Sequence, residues 1–121
     1  MRTIKFRGST VQDSNWVYGC LVYSEYDAPF AKSVDYAEII TPSGECFEVF
    51  PGSVGQFTGV KDVNDQDIYE GDIVIPVKFK DKPNDVEYIS HGFYRTTYHK
   101  GKQYLNPLGS CQIKVIGNAY D

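Results

Sequence analysis

Along much of this chain apolar and polar residues alternate in short runs of period two, the pattern of strands with one covered face. Ile4 and Phe6 alternate with Lys5 and Arg7. After a turn at Asp13-Ser14-Asn15, the run WVYGCLVY places Trp16, Tyr18, Cys20 and Val22 on one face and Val17, Leu21 and Tyr23 on the other. Both faces are apolar, so this strand is expected to be covered on both sides. Residues 24–34 contain Asp27-Ala28-Pro29 and little pattern, and read as a loop with room for one helical turn.

Two β-favouring runs, Glu38–Thr41 and Glu45–Phe50, flank Pro42-Ser43-Gly44 and predict a hairpin that Pro51-Gly52 ends. The stretch GQFTGVKDVNDQDIYEGDIVIPVKF predicts two more strands around a polar turn at Asp62-Val63-Asn64-Asp65. In the second of them Ile73, Ile75, Val77 and Phe79 share a face opposite Val74, Lys78 and Lys80. VEYIS, GFYRTTYH, KQYL and CQIKVIG follow, with turn residues between them. About eight to ten short strands of this kind predict an all-β (mainly β) protein of many short antiparallel strands. They are expected to close into one barrel or two abutting small barrels, with at most one short helix.

Composition supports that class. Aromatic residues make up 15% of the 121 residues, and aromatic side chains favour pleated, half-buried surfaces. The length suits a single domain over 1–121. A subdivision near residue 75 is suggested by charge: residues 1–75 hold five basic against twelve acidic residues, and 76–121 hold seven basic against four acidic. That polarity would support head-to-tail association or an anionic partner. The longest apolar runs are about six residues, against the roughly 18 needed to span a bilayer, so no membrane segment is expected. The N-terminus, MRTIKFRGST, lacks the apolar stretch of a secretory signal. Cys20, Cys46 and Cys111 are widely spaced and odd in number, which argues against a disulfide framework and a zinc site. They are expected to be small buried hydrophobes, reduced in the cytoplasm of a bacterial host.

Candidate chemistry thins out on inspection. Asp62, Asp65, Asp67, Glu70 and Asp72 invite a calcium-loop reading, but Asp67 stands where the loop needs Gly and Ile73 where it needs Glu. A hairpin turn with Asx hydrogen bonds explains them better. His91 and His99, at opposite ends of one strand, would lie roughly 26 Å apart, too far to share a metal. Gly52-Ser53-Val54-Gly55 is preceded by Pro51 and followed by no helix, unlike a nucleophile elbow. No catalytic residue, metal site or cofactor is therefore expected, and the chain does not read as an enzyme. The remaining signal is basic and aromatic: Lys78, Lys80 and Lys82 alternate along one strand, Arg95 and Lys102 follow, and Tyr94 and Tyr98 are interleaved. Such residues could track phosphates and stack on bases, as small barrels do on single strands. The structural alternative is a lysine-guarded edge strand with tyrosine rings in the core.

Three segments in order, IKFRG with WVYGCLVY, then VGQFTGVKDVNDQDIYEGDIV, and finally KVIGNAY, resemble the YopX family of phage and prophage proteins. The middle segment is the specific one. The family's turn usually reads Asn-Gly, whereas Asn64 is followed here by Asp65, so a longer or looser turn is expected. The resemblance implies a mainly β protein with no established activity or cofactor and no catalytic residues to transfer. Its signature positions here are Trp16, Tyr18, Gly55, Gln56, Phe57, Gly59, Tyr69, Gly71, Asp72, Gly117 and Asn118. The glycines are expected to serve turns and bulges, and Trp16, Tyr18, Phe57 and Tyr69 to supply core area. The expected function is that of a non-enzymatic phage or prophage accessory protein acting through protein contacts, as a homo-oligomer or on a phage or host protein. The alternative is a nucleic-acid-binding barrel.

Overall fold

A computed structural model describes residues 4–28, 31–77, 83–89, 92–99, 102–108 and 112–120, with side chains described except at 23–28, 31–35, 98–99 and 102–103. Regular structure among these residues is β apart from one 3-10 turn at Pro51–Ser53. Two compact units divide the chain, Met1–Gln56 and Phe57–Asp121. The charge step near residue 75 falls within the second.

In unit 1, β1 (Phe6–Ser9), β2 (Trp16–Ala28), β3 (Ala31–Ile40) and β4 (Cys46–Val49) pair antiparallel in the order β4-β3-β2-β1. Of residues 24–34, expected to be a loop, 24–28 and 31–34 instead belong to the long β2–β3 ribbon, in which Ser24 pairs with Tyr36 and Ala28 with Ala31. Tyrosine and valine near both arms favour extended backbone, and the breaking residue Pro29 lies outside the described residues. The Pro-Ser-Gly hairpin forms as the sequence predicts. Gly44 takes φ 90° there, and the Thr41 N–H donates to the Glu45 carbonyl at 2.9 Å. Period two then sets the core: Ala37, Ile39 and Val49 are fully buried, with Phe6, Val17, Leu21 and Val54 packed against them. Backbones approach closely across this face. A Cβ on Gly19 would lie 2.0 Å from the Ile40 carbonyl oxygen, so only glycine fits.

Strand β5 (Gly55–Lys61) begins in unit 1, where Gly55 pairs with Arg7 and Gln56 with Phe6. It continues in unit 2, where Phe57 pairs with Tyr69 of β6 (Asp67–Tyr69). Unit 2 also holds β7 (Asp72–Pro76), β8 (Asn84–Ile89), β9 (Gly92–His99), β10 (Lys102–Pro107) and β11 (Ile113–Asn118), in the order β10-β9-β8-β7-β11. Its core is Ile68, Val74, Val86, Leu108 and Ile113, with Val60, Phe93 and Val115 against it. Burying each aliphatic side chain contributes about 1.5–3 kcal/mol. The core side of β7 is the Val74 side, whereas Ile73 and Ile75 on the opposite face are half-buried.

Among the described residues the expected barrels do not form; both sheets are open, with β10 and β11 unpaired to each other. In unit 1, closure is confined to a single bridge, Thr10 to Val49. There Phe50 N–H donates to the Ser9 carbonyl at 2.9 Å and Val11 N–H to that of Glu48 at 3.0 Å. Strand β1 ends at Ser9 and the chain turns at Val11–Asp13, so no longer ladder can be laid along β4. In unit 2 the outer side of β11 is taken by a loop, with Val63 N–H donating to the Ile113 carbonyl at 2.9 Å. Among the described residues no helix is long and apolar enough to cross a membrane.

Candidate interaction surface

The outer face of β2, β3 and β4 follows from register. Cys20 sits opposite Ile40, and Ile40 opposite Cys46; Val22 sits opposite Glu38, and Glu38 opposite Glu48. Tyr18 and Val22 are 46% and 48% exposed. Among the described residues of the run WVYGCLVY, expected to be covered on both sides, Val17 and Leu21 pack on the core, whereas Tyr18, Cys20 and Val22 on the other face are exposed. Cys20 and Cys46 are exposed free thiols and not the buried hydrophobes expected; Cys111 lies outside the described residues. With β3 between them the two thiols are roughly 9–10 Å apart, beyond disulfide reach.

On the β3 and β4 part of this face the described charges, Glu38 and Glu48, are both negative. Glu38 and Glu48 lie directly across β3 and β4, a destabilising arrangement for like charges. Neither is matched by a cation among the described residues. The Tyr36 hydroxyl donates to Glu38 Oε2 at 2.6 Å, and that bond holds the tyrosine above its usual 10.0. At the far end of the face the Arg7 guanidinium lies 4.7 Å from the centroid of the Trp16 ring. At the edge of β4 a pocket of about 220 Å³ is lined by Thr10, Val11, Gln12, Asp13, Cys46, Phe47 and Glu48. Asp13 accepts hydrogen bonds from the Thr10 hydroxyl and from the Asn15 N–H. The Thr10 hydroxyl is the main cause holding its carboxyl below the ordinary 3.8. The pocket therefore combines apolar walls with two carboxylates, Asp13 and Glu48.

The acidic middle segment serves the backbone. Asp62 is 8% exposed. Its Oδ1 accepts the N–H groups of Asn64 and Gln66 at 2.8 and 2.9 Å, and its Oδ2 that of Val115 at 3.0 Å. Burial pushes this carboxyl up, but the three donors and the Lys114 charge outweigh it and leave the group below 3.8. Val63-Asn64 form the centre of a turn closed by Asp65 N–H on the Asp62 carbonyl at 3.0 Å. Asp65 then takes φ 63°, the left-handed position that follows a turn of this kind in a three-residue hairpin loop. Gly71 takes φ 91°, and the buried Asp72 accepts Tyr69 N–H at 2.8 Å. Ser53 is likewise structural: its Oγ accepts Ser9 N–H at 2.8 Å and donates to the Phe50 carbonyl at 2.6 Å.

The other signature positions divide. Phe57 and Tyr69 are buried with ring centroids 5.7 Å apart, as expected, whereas Tyr18 lies on the surface because its face is uncovered. Gly59 takes φ 86° within the irregular pairing of β5 and β6. Gly117 follows the break in the β11–β7 register, and Asn118 pairs with Asp72.

Of the basic and aromatic residues, Lys78, Lys80 and Lys82 lie outside the described residues, as do the side chains of Tyr98 and Lys102. Arg95 is 7% exposed, and its Nη1 donates to Asn84 Oδ1 at 3.3 Å. Tyr94, next to it on β9, is half-buried and projects to the opposite face. Among the described members, then, ring and cation are not brought together. The Glu38–Glu48 pair was missed by the sequence reading. A signal existed: counting outward from the Pro42-Ser43-Gly44 turn pairs Ile40 with Cys46 and Glu38 with Glu48.

The profile of the YopX protein family matches residues 5–121. The chain belongs to the YopX family. The match covers nearly the whole sequence, including, but for Ile4, all three segments on which the resemblance rests. Among solved structures, protein EF1440 from Enterococcus faecalis is similar over 98% of this chain and 94% of its own, at 18% identity and a TM-score of 0.42. No curated protein matches the chain.

Proposed function

We propose that this YopX-family chain is a non-enzymatic accessory protein of a phage or prophage, acting in the bacterial cytoplasm through protein contacts and assembling as a homo-oligomer. The observation that supports this is the uncovered face of β2–β4, where Tyr18, Cys20, Val22 and Cys46 are exposed together. Apolar and aromatic surface gathered on one side of a sheet is what protein interfaces use. The non-enzymatic part is supported by what the reactive-looking groups do. Asp62, Asp72 and Ser53 are occupied by backbone N–H groups in the interior. Exposed unpaired thiols suit a reducing compartment. Arg95, bonded to Asn84 inside unit 2, is withdrawn from any phosphate.

Size-exclusion chromatography with light scattering tests the reading. A mass that is a multiple of 13.7 kDa is expected. A strict monomer at every accessible concentration would count decisively against self-assembly.

A further inference from the structure

We propose that the acidic, apolar face of β2–β4, with the pocket beside Glu48, receives the Lys114 edge of a second copy, so that chains associate head to tail. This rests on the homo-oligomer reading and specifies its surfaces. Face-to-face pairing of the β2–β4 surface with itself would bring Glu38 and Glu48 of one copy near those of the other, and like charges at an interface cost several-fold to many-fold in affinity. The face therefore asks for a basic partner with apolar flanks.

The same chain presents one. Lys114 on β11 is exposed, and Ile116 and Val63 beside it are 51% and 48% exposed. Val63 is held there by its N–H bond to the Ile113 carbonyl. A lysine can lay its methylene stem along apolar walls while its ammonium meets carboxylates. Val11 and Phe47 supply such walls in the pocket, and Asp13 and Glu48 the carboxylates. Asp13 is held against the pocket wall by the Thr10 hydroxyl, which donates to its carboxylate. Two different patches meeting in this way make a heterologous interface, which closes into a ring or extends as a filament.

Sedimentation equilibrium of the full chain at about 0.05 M and about 0.5 M NaCl is the test, because exposed charge pairs weaken with salt. Wild type is expected to associate more tightly at low salt. Glu48→Lys and Lys114→Glu, both at exposed positions, are each expected to weaken self-association by about tenfold or more. Mixed in equal amounts, the two variants should recover association in one-to-one proportion, Lys114 of the first meeting Glu48 of the second and the two reversed charges meeting at the next contact; an unfolded variant would not recover in this way. Wild type that associates while both variants behave like it would overturn the proposed surfaces and leave the homo-oligomer reading standing. Two folded, monomeric variants that fail to pair when mixed would overturn the head-to-tail match. A wild-type monomer at low salt would overturn the homo-oligomer reading and this proposal with it.

Discussion

Asp62→Asn is nearly isosteric, so its effect isolates the carboxylate charge and the Oδ2 acceptor. In wild type the carboxylate receives three backbone N–H groups, at 2.8, 2.9 and 3.0 Å. Hydrogen bonds to an ionised acceptor contribute about 1.5–3 kcal/mol each and neutral ones about 0.5–1.5. The amide keeps a carbonyl oxygen for Asn64 and Gln66, at the weaker neutral strength, and turns an NH2 toward the N–H of Val115. Summing two weakened bonds and one lost acceptor, which leaves the Val115 N–H unpaired, gives a destabilisation of about 2–4 kcal/mol, or a fall in Tm of about 10 °C. The pH dependence carries the sign. The folded carboxyl lies below its ordinary 3.8, so its contribution is present above the unfolded value and is lost as pH falls through the folded one. Urea unfolding of wild type and Asp62→Asn across pH 7 to about 2.5 should therefore show a gap that is constant near neutrality and narrows only below 3.8. A gap under about 0.5 kcal/mol at pH 7, or one that does not narrow in acid, would refute the reasoning.

Gly19→Ala should cost more than about 2 kcal/mol by urea midpoint, because its Cβ would meet the Ile40 backbone, while Gly52→Ala, with open space around it, should stay within about 0.5 kcal/mol. Asp65→Gly should be at least as stable as wild type, since φ 63° suits glycine, and Asp65→Val should lose about 1–2 kcal/mol in thermal melts. Thr10→Val removes the hydroxyl that chiefly holds Asp13 down, so an NMR titration should find that carboxyl moved up toward 3.8.

Much of the fold was legible in the sequence, for reasons that are local. Period two and the Pro42-Ser43-Gly44 turn placed β3, β4 and their hairpin, and the Asx logic of Asp62 and the glycine at 71 explained the acidic segment. What failed was long-range. Alternation shows that a strand has two faces, not whether a second layer exists to cover either. WVYGCLVY was therefore read as doubly covered, and Tyr18, Cys20 and Cys46 were put inside. Barrel closure depends on whether one end of a sheet can lie along the other, which the length of β1 and the turn at 11–13 decide. Arg95 looked like a surface cation because its bond to Asn84 joins neighbouring strands, and no one-dimensional pattern announces it.

The bond from Val115 N–H to Asp62 spans 53 positions, and Ala119 N–H adds a second tie, to the Gly71 carbonyl at 2.7 Å. The consequence is an order of events during synthesis. The strand pairings of β1–β4, and those of Gly55 and Gln56 with β1, all lie within residues 1–56, so these ladders can form once that segment emerges from the ribosome. The turn at 62–66, by contrast, holds a carboxylate whose last donor is translated more than fifty residues later, and closing so long a loop is entropically slow. Until β11 arrives, Asp62 keeps water in place of Val115, and Val74 lacks the edge strand beside it. Nascent chains arrested before residue 112 should therefore carry a finished first half and a second half open to proteases.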